Sequence, residues 1–557
     1  MGSVGFHITN VPVAVLEPHG EFRILARLAD EGPEALGFSL LTEKRAGHVS
    51  HSNLFDRAAA AEQIGRQNPT LPTPPADASY VVAGQQAGLL TGPLYTILKA
   101  ISAIAMARRM SAARGRPVLP LFWIASEDHD VLEVNRVTVN GRKFVHDYPG
   151  ELARGQVPQV GDIDLTEARD RLLAFLEDSL PETEFRPEIL ERISKLDFRT
   201  YGTAFRDLMS QLFAAWELRL IDPIPLRPLT GPVLAALVER WEEVTAAFSA
   251  GTQAVREKGL TPPLEKPGFF ELHEGKRVPV SIEDGRVRLA AETISIRGAA
   301  ECIRRQPQRF SPGAALRPIC QDAILPVLAT LAGPSELTYL WQIEPIYPVI
   351  GAAPSLRHPR ISATFLEPPI LRAAERARLP MAEIFRAAEL LAAPGSAAKV
   401  SGVSLSVAAG EALPDAPADG PPKQTPDRQA ASPQLEHAAR IDEQARTLLA
   451  AIDRIPTDQP PRWLRKSRTA IESAAARIVA ELHRDQQEAA GLTRERLEKI
   501  AAAILPEGKP QERVANVIQF LNLHGDDFLR ESVESLDPLS LEHQVVAIAG
   551  RPQEKKR

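Results

Sequence analysis

Residues 79–130 read SYVVAGQQAGLLTGPLYTILKAISAIAMARRMSAARGRPVLPLFWIASEDHD, and this stretch decides the fold. An apolar run at 80–83 ends in a Gly/Gln-rich turn, and a second apolar run at 118–125 ends in the polar residues 126–130. A helical pattern joins the two runs. The stretch therefore predicts a strand–helix–strand unit of a parallel sheet. Ligands of open α/β sheets bind outside the carboxyl ends of the strands, so we expect the functional crevice there.

The boundaries of this unit follow from local signals. The Gly-Pro pair at 92–93 favours a helix start, and Gly115 favours its end. Apolar residues recur at helical spacing and predict one buried stripe, formed by Leu94, Ile97, Leu98, Ile101, Ile104 and Ala105. The run 118–124 is apolar on both faces, as in a central parallel strand. Proline lacks the N–H that a paired strand needs, so we expect Pro120 at the strand's start.

The composition bounds the class of protein. The chain has 557 residues, 44% hydrophobic and 24% charged residues and a net charge of −6. This length predicts about two to four structural units, and the charge does not favour nucleic-acid or membrane partners. The two cysteines, Cys302 and Cys320, exclude a disulfide framework and a cysteine-rich zinc site. No secretory signal or membrane span is indicated, and a cytoplasmic protein is expected.

The amino-acid composition of the sequence changes beyond residue 371. Residues 394–432 are rich in Pro, Ala and Gly and carry no aromatic residue, which is typical of a linker. Apolar residues at helical spacing lie on both sides of the prolines at 456–461. Two helices around a proline-containing turn predict an antiparallel coiled-coil hairpin.

The turn after the first apolar run is a candidate ligand-binding loop. Glycines in this turn let the backbone approach a ligand, and the amides at the start of the next helix favour phosphate or carboxylate. The sequence is neither a Walker A motif nor GxGxxG, and a tight turn that only packs the helix on the sheet is the alternative. The candidate binding residues are Gly84, Gln85, Gln86, Gly88, Gly92, Tyr95 and Lys99.

The polar residues after the second apolar run are the candidate catalytic residues: Glu127, Asp128, His129 and Asp130. Titratable groups so close together perturb each other's pKa values and suit acid–base chemistry or metal binding. A helix N-cap and a solvated loop are the alternatives. Arg317 and Arg360 stand in apolar surroundings, and guanidinium groups suit bidentate contacts with phosphate or carboxylate, although surface arginines beside prolines are equally consistent.

Three segments resemble one known family. VVAGQQAGLLTGPLYTILKA followed by PLFWIASEDHD, FSPGAALRPICQDAILPVLATLAGPSELTYLW, and PEGKPQERVANVIQFLNLHG look like the signatures of the bacillithiol biosynthesis cysteine-adding enzymes. The resemblance implies a Rossmann-like core related to class I aminoacyl-tRNA synthetase catalytic domains, with two connecting insertions and a coiled-coil domain that supports homodimers. It implies a core at 1–370 with insertions near 137–205 and 230–300, a helical domain at 371–505, and a segment at 506–557 that packs back on the core.

The resemblance also implies a reaction. A ligase of this family would join cysteine to glucosaminyl-malate, the last step of bacillithiol synthesis. ATP is the expected source of acyl activation, and no metal is expected beyond Mg²⁺ that accompanies ATP. A non-catalytic protein that binds nucleotide or thiol precursor is the alternative. A metal-dependent hydrolase built on residues 127–130 ranks last, because no second His or Cys cluster stands nearby in the sequence.

Overall fold

The computed structural model describes residues 4–13, 15–16, 23–31, 57–75, 77–147, 158–392, 433–454 and 461–549. Within these ranges the strands, in chain order, are β1 (Gly5–Val11), β2 (Ser79–Gln85), β3 (Val118–Ile124), β4 (Arg136–Val139), β5 (Arg142–Val145), β6 (Arg219–Ile221), β7 (Phe269–His273), β8 (Lys276–Pro279), β9 (Ser281–Glu283), β10 (Arg286–Arg288), β11 (Thr293–Ser295), β12 (Phe310–Pro312), β13 (Val327–Ala332), β14 (Leu356–Pro359), β15 (Ala363–Leu366) and β16 (His543–Ala549).

The α-helices in the same ranges are α1 (Arg23–Glu31), α2 (Arg57–Gln67), α3 (Leu94–Arg114), α4 (Val131–Val134), α5 (Arg169–Ser179), α6 (Arg186–Ser194), α7 (Tyr201–Phe213), α8 (Arg227–Glu239), α9 (Trp241–Glu257), α10 (Ile296–Arg305), α11 (Arg317–Ile324), α12 (Pro334–Gln342), α13 (Pro368–Arg376), α14 (Arg386–Ala392), α15 (Pro433–Asp453), α16 (Arg462–Ile504), α17 (Val517–His524) and α18 (Asp527–Ser535).

A five-stranded sheet forms the centre of the main unit. Its order is β14-β13-β2-β3-β6, and every neighbouring pair is parallel. Helix α3 connects β2 to β3, so the strand–helix–strand unit and the α/β class predicted from the sequence are confirmed. All five strands end at the same edge of the sheet, which brings the loops after β2, β3 and β13 together.

Pro120 is not at the strand's start, as the sequence suggested, but is the third residue of β3. It stands opposite Val81 of β2, and the pairing with β6 begins one residue later, at Leu121. Proline has no N–H to donate to a neighbouring strand. It is tolerated at position 120 because β6, the neighbour on the other side of β3, is not paired with this residue.

Helix α3 is a core helix. All six residues of the predicted stripe are buried, but so are nearly all other residues from Leu94 to Ala107. The helix packs on the apolar side chains of β2 and β3, and the carboxyl-terminal helices α17 and α18 belong to the same apolar cluster. Both faces are therefore covered, and the prediction of a single buried stripe was too narrow. The helix ends as predicted at Gly115, which has φ +60°.

The carboxyl-terminal segment belongs to the same compact unit as the sheet, which comprises residues up to 368 and from 504 onward. Strand β16 lies between β1 and β15 in a second sheet. Phe365, Phe520 and Phe528 contact one another, with ring centroids 4.9 to 5.5 Å apart. Phe6 of β1 lies 5.8 Å from the Phe365 ring and 6.1 Å from the Phe528 ring, so these aromatic side chains, each of which buries a large apolar area, join the beginning of the chain to its end.

The second compact unit comprises residues 369–503 and is helical where it is described. Its helix α16 is 43 residues long. Arg468 of α16 forms an ion pair of 3.1 Å with Asp453 at the end of α15, close to the turn between these helices. The predicted linker at 394–432 and the turn residues 455–460 lie outside the described residues.

In the ranges that the structure describes, no helix is both long and apolar enough to cross a membrane. The cytoplasmic location stays a prediction from the sequence.

A buried histidine gives the main unit a pH-dependent stability. His543 is fully buried, and its ring nitrogens lie 2.8 Å from Ser362 Oγ and 2.9 Å from Thr364 Oγ1. Burial lowers its pKa to about 4, against 6.5 for an unperturbed histidine. The unfolded chain therefore binds this proton more tightly, and the stabilisation present above pH 6.5 is lost as the pH falls toward 4.

We expect the free energy of unfolding, measured in urea, to fall by about 2 kcal/mol between pH 7.5 and 4.5 through His543. A His543→Gln variant should show a shallower decline over the same interval. Parallel pH profiles for the two proteins would contradict this assignment.

Candidate active site

A cleft of about 520 Å³ opens at the carboxyl edge of the central sheet. Its wall includes the ends of β2, β3 and β13 and the loops that follow them. The antiparallel β7–β8 hairpin, the start of α11 and the carboxyl-terminal segment complete it through Arg277, Arg317 and Arg513. The crevice that the sequence placed after β2 and β3 is therefore present, and a third strand end and the β7–β8 hairpin also contribute to it.

A buried lysine organises the floor of the cleft. Lys99 Nζ donates to Gly84 O at 2.8 Å and to Gln85 Oε1 at 2.9 Å, and it lies 2.5 Å from Glu336 Oε2. Burial raises the pKa of the Glu336 carboxyl, but the charge and hydrogen bond of Lys99 outweigh this and lower it overall. The ion pair thus links β2, α3 and the β13 end.

A chain of amides leads from this ion pair to the outer carboxylates. Gln85 Nε2 donates to Gln86 Oε1 at 2.9 Å and lies 3.4 Å from Tyr95 Oη. Gln86 Nε2 donates to Asp128 Oδ2 at 3.0 Å and to Glu133 Oε2 at 2.6 Å. Burial raises the pKa of Glu133. The amide thus holds two carboxylates side by side on one wall of the cleft.

The four predicted catalytic residues separate into different roles. Glu127 is buried, and it accepts from Arg227 Nε at 2.7 Å. Asp128 and His129 also line the cleft, and the His129 ring lies 5.4 Å from the Phe270 ring. Asp130 is exposed, is not part of the cleft wall, and accepts from the Glu133 N–H at the start of α4. Asp130 is thus a helix N-cap, as the alternative interpretation expected, and its position does not support the predicted catalytic role.

Gly88 and Gly92 do not line the cleft, in contrast to Gly84, Gln85, Gln86, Tyr95 and Lys99. They let the chain turn tightly: a Cβ on Gly88 would stand 3.2 Å from Gly92 Cα, and Gly92 has φ +70°. The Leu94 N–H donates to Ala515 O at 2.7 Å, and Asn516 Nδ2 donates to Leu90 O and Gly92 O. The carboxyl-terminal segment therefore covers the start of α3, which corrects the prediction that this helix start binds an anion.

Arg360 is not the uncompensated cation that the sequence suggested. Its Nη1 and Nη2 donate to Glu512 Oε2 and Oε1 at 3.0 and 2.6 Å, and both residues are buried. Burial raises the pKa of Glu512, but Arg360 outweighs this effect and the net shift is downward. Arg360 lines the cleft, yet its charge is already balanced by the carboxyl-terminal segment.

Two other arginines keep their charge available. Arg317 donates to Tyr339 Oη at 3.2 Å and to Gln321 Oε1 at 3.3 Å. Arg277 lies over the Phe270 ring, 3.8 Å from its centroid, and donates to Ser311 Oγ and Pro312 O. Neither guanidinium forms an ion pair with a carboxylate among the residues described. Held rigidly but not neutralised, they are suited to binding an anionic ligand.

Several residues of the wall were missed by the sequence reasoning: Trp123, Glu133, Arg277, Glu336, Tyr339 and Arg513. Glu336 carried a usable signal, because it follows an apolar run and a Gly-Pro pair, and the Gly-Pro pair at 92–93 likewise precedes a helix that begins after an apolar strand. Arg277 carried none, since it comes from a hairpin whose docking onto the cleft depends on tertiary contacts.

The described part of the chain contains no group of three or more His, Cys, Asp or Glu residues placed to hold a metal ion.

Comparison with known proteins gives a consistent result over both parts of the chain. Residues 71–361 match the model of the N-terminal Rossmann-like domain of bacillithiol biosynthesis BshC, and residues 429–548 match the model of its C-terminal coiled-coil domain. A protein of Salinibacter ruber named "Putative cysteine ligase BshC" is 30% identical over 85% of this chain and 83% of its own length. One of Heliobacterium modesticaldum with the same name is 30% identical over 83% and 81%.

A solved structure also matches, that of a "putative arginyl t-RNA synthetase" from Campylobacter jejuni, with a TM-score of 0.21 and 11% identity over 90% of this chain and 98% of that one.

The Glu127–Arg227 pair has a structural role that can be tested. We expect Glu127→Ala to lower the free energy of unfolding in urea by about 3–5 kcal/mol, because Arg227 would be left buried without its counter-charge. The double variant Glu127→Leu with Arg227→Met should be markedly more stable than Glu127→Ala. As a control, Asp130→Ala should lower the free energy of unfolding by only about 0.5–2 kcal/mol, which is the usual contribution of a helix N-cap. Equal losses for Glu127→Ala and Asp130→Ala would rule out the pairing role.

Proposed function

The chain belongs to the BshC family, and from this premise we propose that it is a ligase that joins cysteine to glucosaminyl-malate, the last step of bacillithiol synthesis. The matches cover both the Rossmann-like and the coiled-coil parts of the family. The observation that carries the proposal is the cleft itself, where Arg277 and Arg317 face the ligand space without carboxylate partners among the described residues. Glucosaminyl-malate is a dicarboxylate, and two fixed guanidinium groups complement it.

Amide formation in water requires an activated acyl group, and we propose that ATP supplies it. The carboxylate of cysteine attacks a phosphorus atom of ATP, and pyrophosphate or ADP leaves. The amine of glucosaminyl-malate then attacks the acyl carbon, so that the C–N bond forms and the bond to the adenylate or phosphate oxygen breaks. Cations fixed beside the cleft would stabilise the negative charge that develops in both steps.

The acidic wall is suited to the proton transfer that this attack requires. The attacking amine must lose a proton, and Asp128 and Glu133 are two carboxylates held together by Gln86 at the cleft. Burial raises the pKa of Glu133, which makes it a better proton acceptor than an exposed glutamate. His129 Nδ1 lies 3.5 Å from Asp128 Oδ1, at the exposed end of this wall.

The direct test is turnover by the purified protein. We expect bacillithiol to form from cysteine, glucosaminyl-malate and ATP, detected by mass spectrometry, with AMP or ADP released in equal amount. Nucleotide and glucosaminyl-malate binding without product would favour a non-catalytic binding protein instead.

Arg317 gives a residue-specific prediction. Replacing it by Gln removes one of the unpaired cations, so kcat/KM for glucosaminyl-malate should fall by about 100-fold, the effect of losing a charge-assisted contact of roughly 3 kcal/mol. The melting temperature should change little, since Arg317 has no ionic partner among the described residues to leave behind. Arg305→Gln is the matched control, because Arg305 is exposed and remote from the cleft wall. A similar loss in both variants would remove Arg317 from the site.

We also propose that the helical unit forms homodimers through its coiled coil. Leu448, Trp463 and Ile478 of α15 and α16 are large apolar side chains with 48%, 64% and 46% exposure. Exposed apolar residues on long helices are typical of association surfaces. The double variant Leu448→Glu with Ile478→Glu should shift the mass measured by light scattering from dimer to monomer. A monomeric wild-type protein would contradict the proposal.

A further inference from the structure

Two charged side chains of the cleft are each held by a partner of opposite charge, and each keeps one hydrogen-bonding atom that has no partner in the described ranges. Glu336 Oε2 accepts from Lys99 Nζ and from the Gly333 N–H at 2.8 Å, which leaves Oε1 without a partner among the described residues. Arg360 uses Nη1 and Nη2 on Glu512, and its Nε is buried with no hydrogen-bond partner in the described chain.

These two groups approach each other at Gly333, the residue after β13. A Cβ placed on Gly333 would stand 3.3 Å from Glu336 Oε2 and 3.9 Å from Arg360 Nε. Gly333 has φ −72°, a conformation that any residue adopts, so the backbone does not require glycine here. The missing side chain instead leaves open space beside the Glu336 carboxylate and the Arg360 Nε–H.

The charge balance of this space limits what can occupy it. Lys99 neutralises Glu336, and Glu512 neutralises Arg360. A ligand ammonium would be attracted by Glu336 but repelled by the Arg360 cation. A ligand carboxylate would be attracted by Arg360 but repelled by the Glu336 anion. A hydroxyl group accepts from the Nε–H and donates to the carboxylate, and it satisfies both.

We propose that Gly333, Glu336 and Arg360 form a subsite for a hydroxyl group of a sugar ring. This assignment rests on the proposed function, whose substrates offer two such rings: the glucosamine of glucosaminyl-malate and the ribose of ATP. Both rings present the same chemistry, and the experiment separates them.

The first measurement uses the unmodified protein and isothermal titration calorimetry. The ligands are ATP with Mg²⁺, 2′-deoxy-ATP, 3′-deoxy-ATP, glucosaminyl-malate, and glucosaminyl-malate lacking its 3- or 4-hydroxyl. Removal of the bound hydroxyl should weaken binding by about 10- to 100-fold, since it leaves a charged donor and acceptor unsatisfied. The ligand that shows the loss identifies the ring.

The second measurement fills the space. In Gly333→Ala the new methyl group meets only the flexible end of Glu336 and Arg360 Nε, so the variant should fold. It should bind the parent ligand as weakly as the wild-type protein binds the deoxy ligand, with no further loss for the deoxy ligand. Gly65→Ala is the matched control, because a Cβ there meets nothing within 4 Å, and its dissociation constants should equal those of the wild type.

The outcomes separate this subsite from the proposed function. Equal dissociation constants for every deoxy ligand and its parent, or unchanged binding in Gly333→Ala, would overturn the subsite and leave the ligase proposal intact. Failure of both ATP and glucosaminyl-malate to bind the wild-type protein would overturn both.

Discussion

The structure of the cleft depends on three buried or partly buried ion pairs, because a charge taken out of water is costly unless it is paired or hydrogen-bonded. The three pairs lie at the carboxyl edge of the sheet: Lys99–Glu336, Arg227–Glu127 and Arg360–Glu512. Each one ties the region of a strand end to another part of the chain. Because breaking one partner of such a pair costs several kcal/mol while the intact pair contributes little net stability, the pairs serve mainly to fix geometry. The loops after β2, β3 and β13 are therefore held in position by contacts within the protein itself.

The apolar surface of α3 and the charge of Arg360 together explain why the end of the chain returns to the sheet. Helix α3 is apolar on nearly all sides and needs a cover that the central sheet alone cannot provide. Helices α17 and α18 supply it, and the turn that leads into them carries Glu512 and Asn516. Glu512 neutralises Arg360, and Asn516 donates to the carbonyls of Leu90 and Gly92 in the turn before α3. The carboxyl-terminal segment thus covers the apolar surface of α3 and also pairs the charge of Arg360. It brings Arg513 to the cleft as well.

The sequence could predict what depends on local pattern. Apolar runs and Gly-Pro signals were sufficient for β2, α3 and β3, because strand and helix periodicity are written within a few residues. The position of the ligand-binding loops could then be predicted too, since neighbouring parallel strands end at the same edge of a sheet. The sequence could not predict whether a charge is paired. Arg317 and Arg360 look alike in sequence, yet among the described residues Arg360 meets a carboxylate and Arg317 does not, and that carboxylate is 152 residues away. For the same reason Glu127, Asp128 and Asp130 could not be told apart.

This difference between paired and unpaired charges is what divides the cleft into functional regions. Where charges are balanced, as around Gly333, selectivity must come from neutral hydrogen bonds and available space. Where arginines have no carboxylate partner among the described residues, as at positions 277 and 317, binding energy comes from the ligand's own negative charge. Asp128 and Glu133, by contrast, share one amide donor, so neither is fully neutralised. A ligand that carries both carboxylates and an amine can therefore use both kinds of contact, with its carboxylates at Arg277 and Arg317 and its amine beside Asp128 and Glu133.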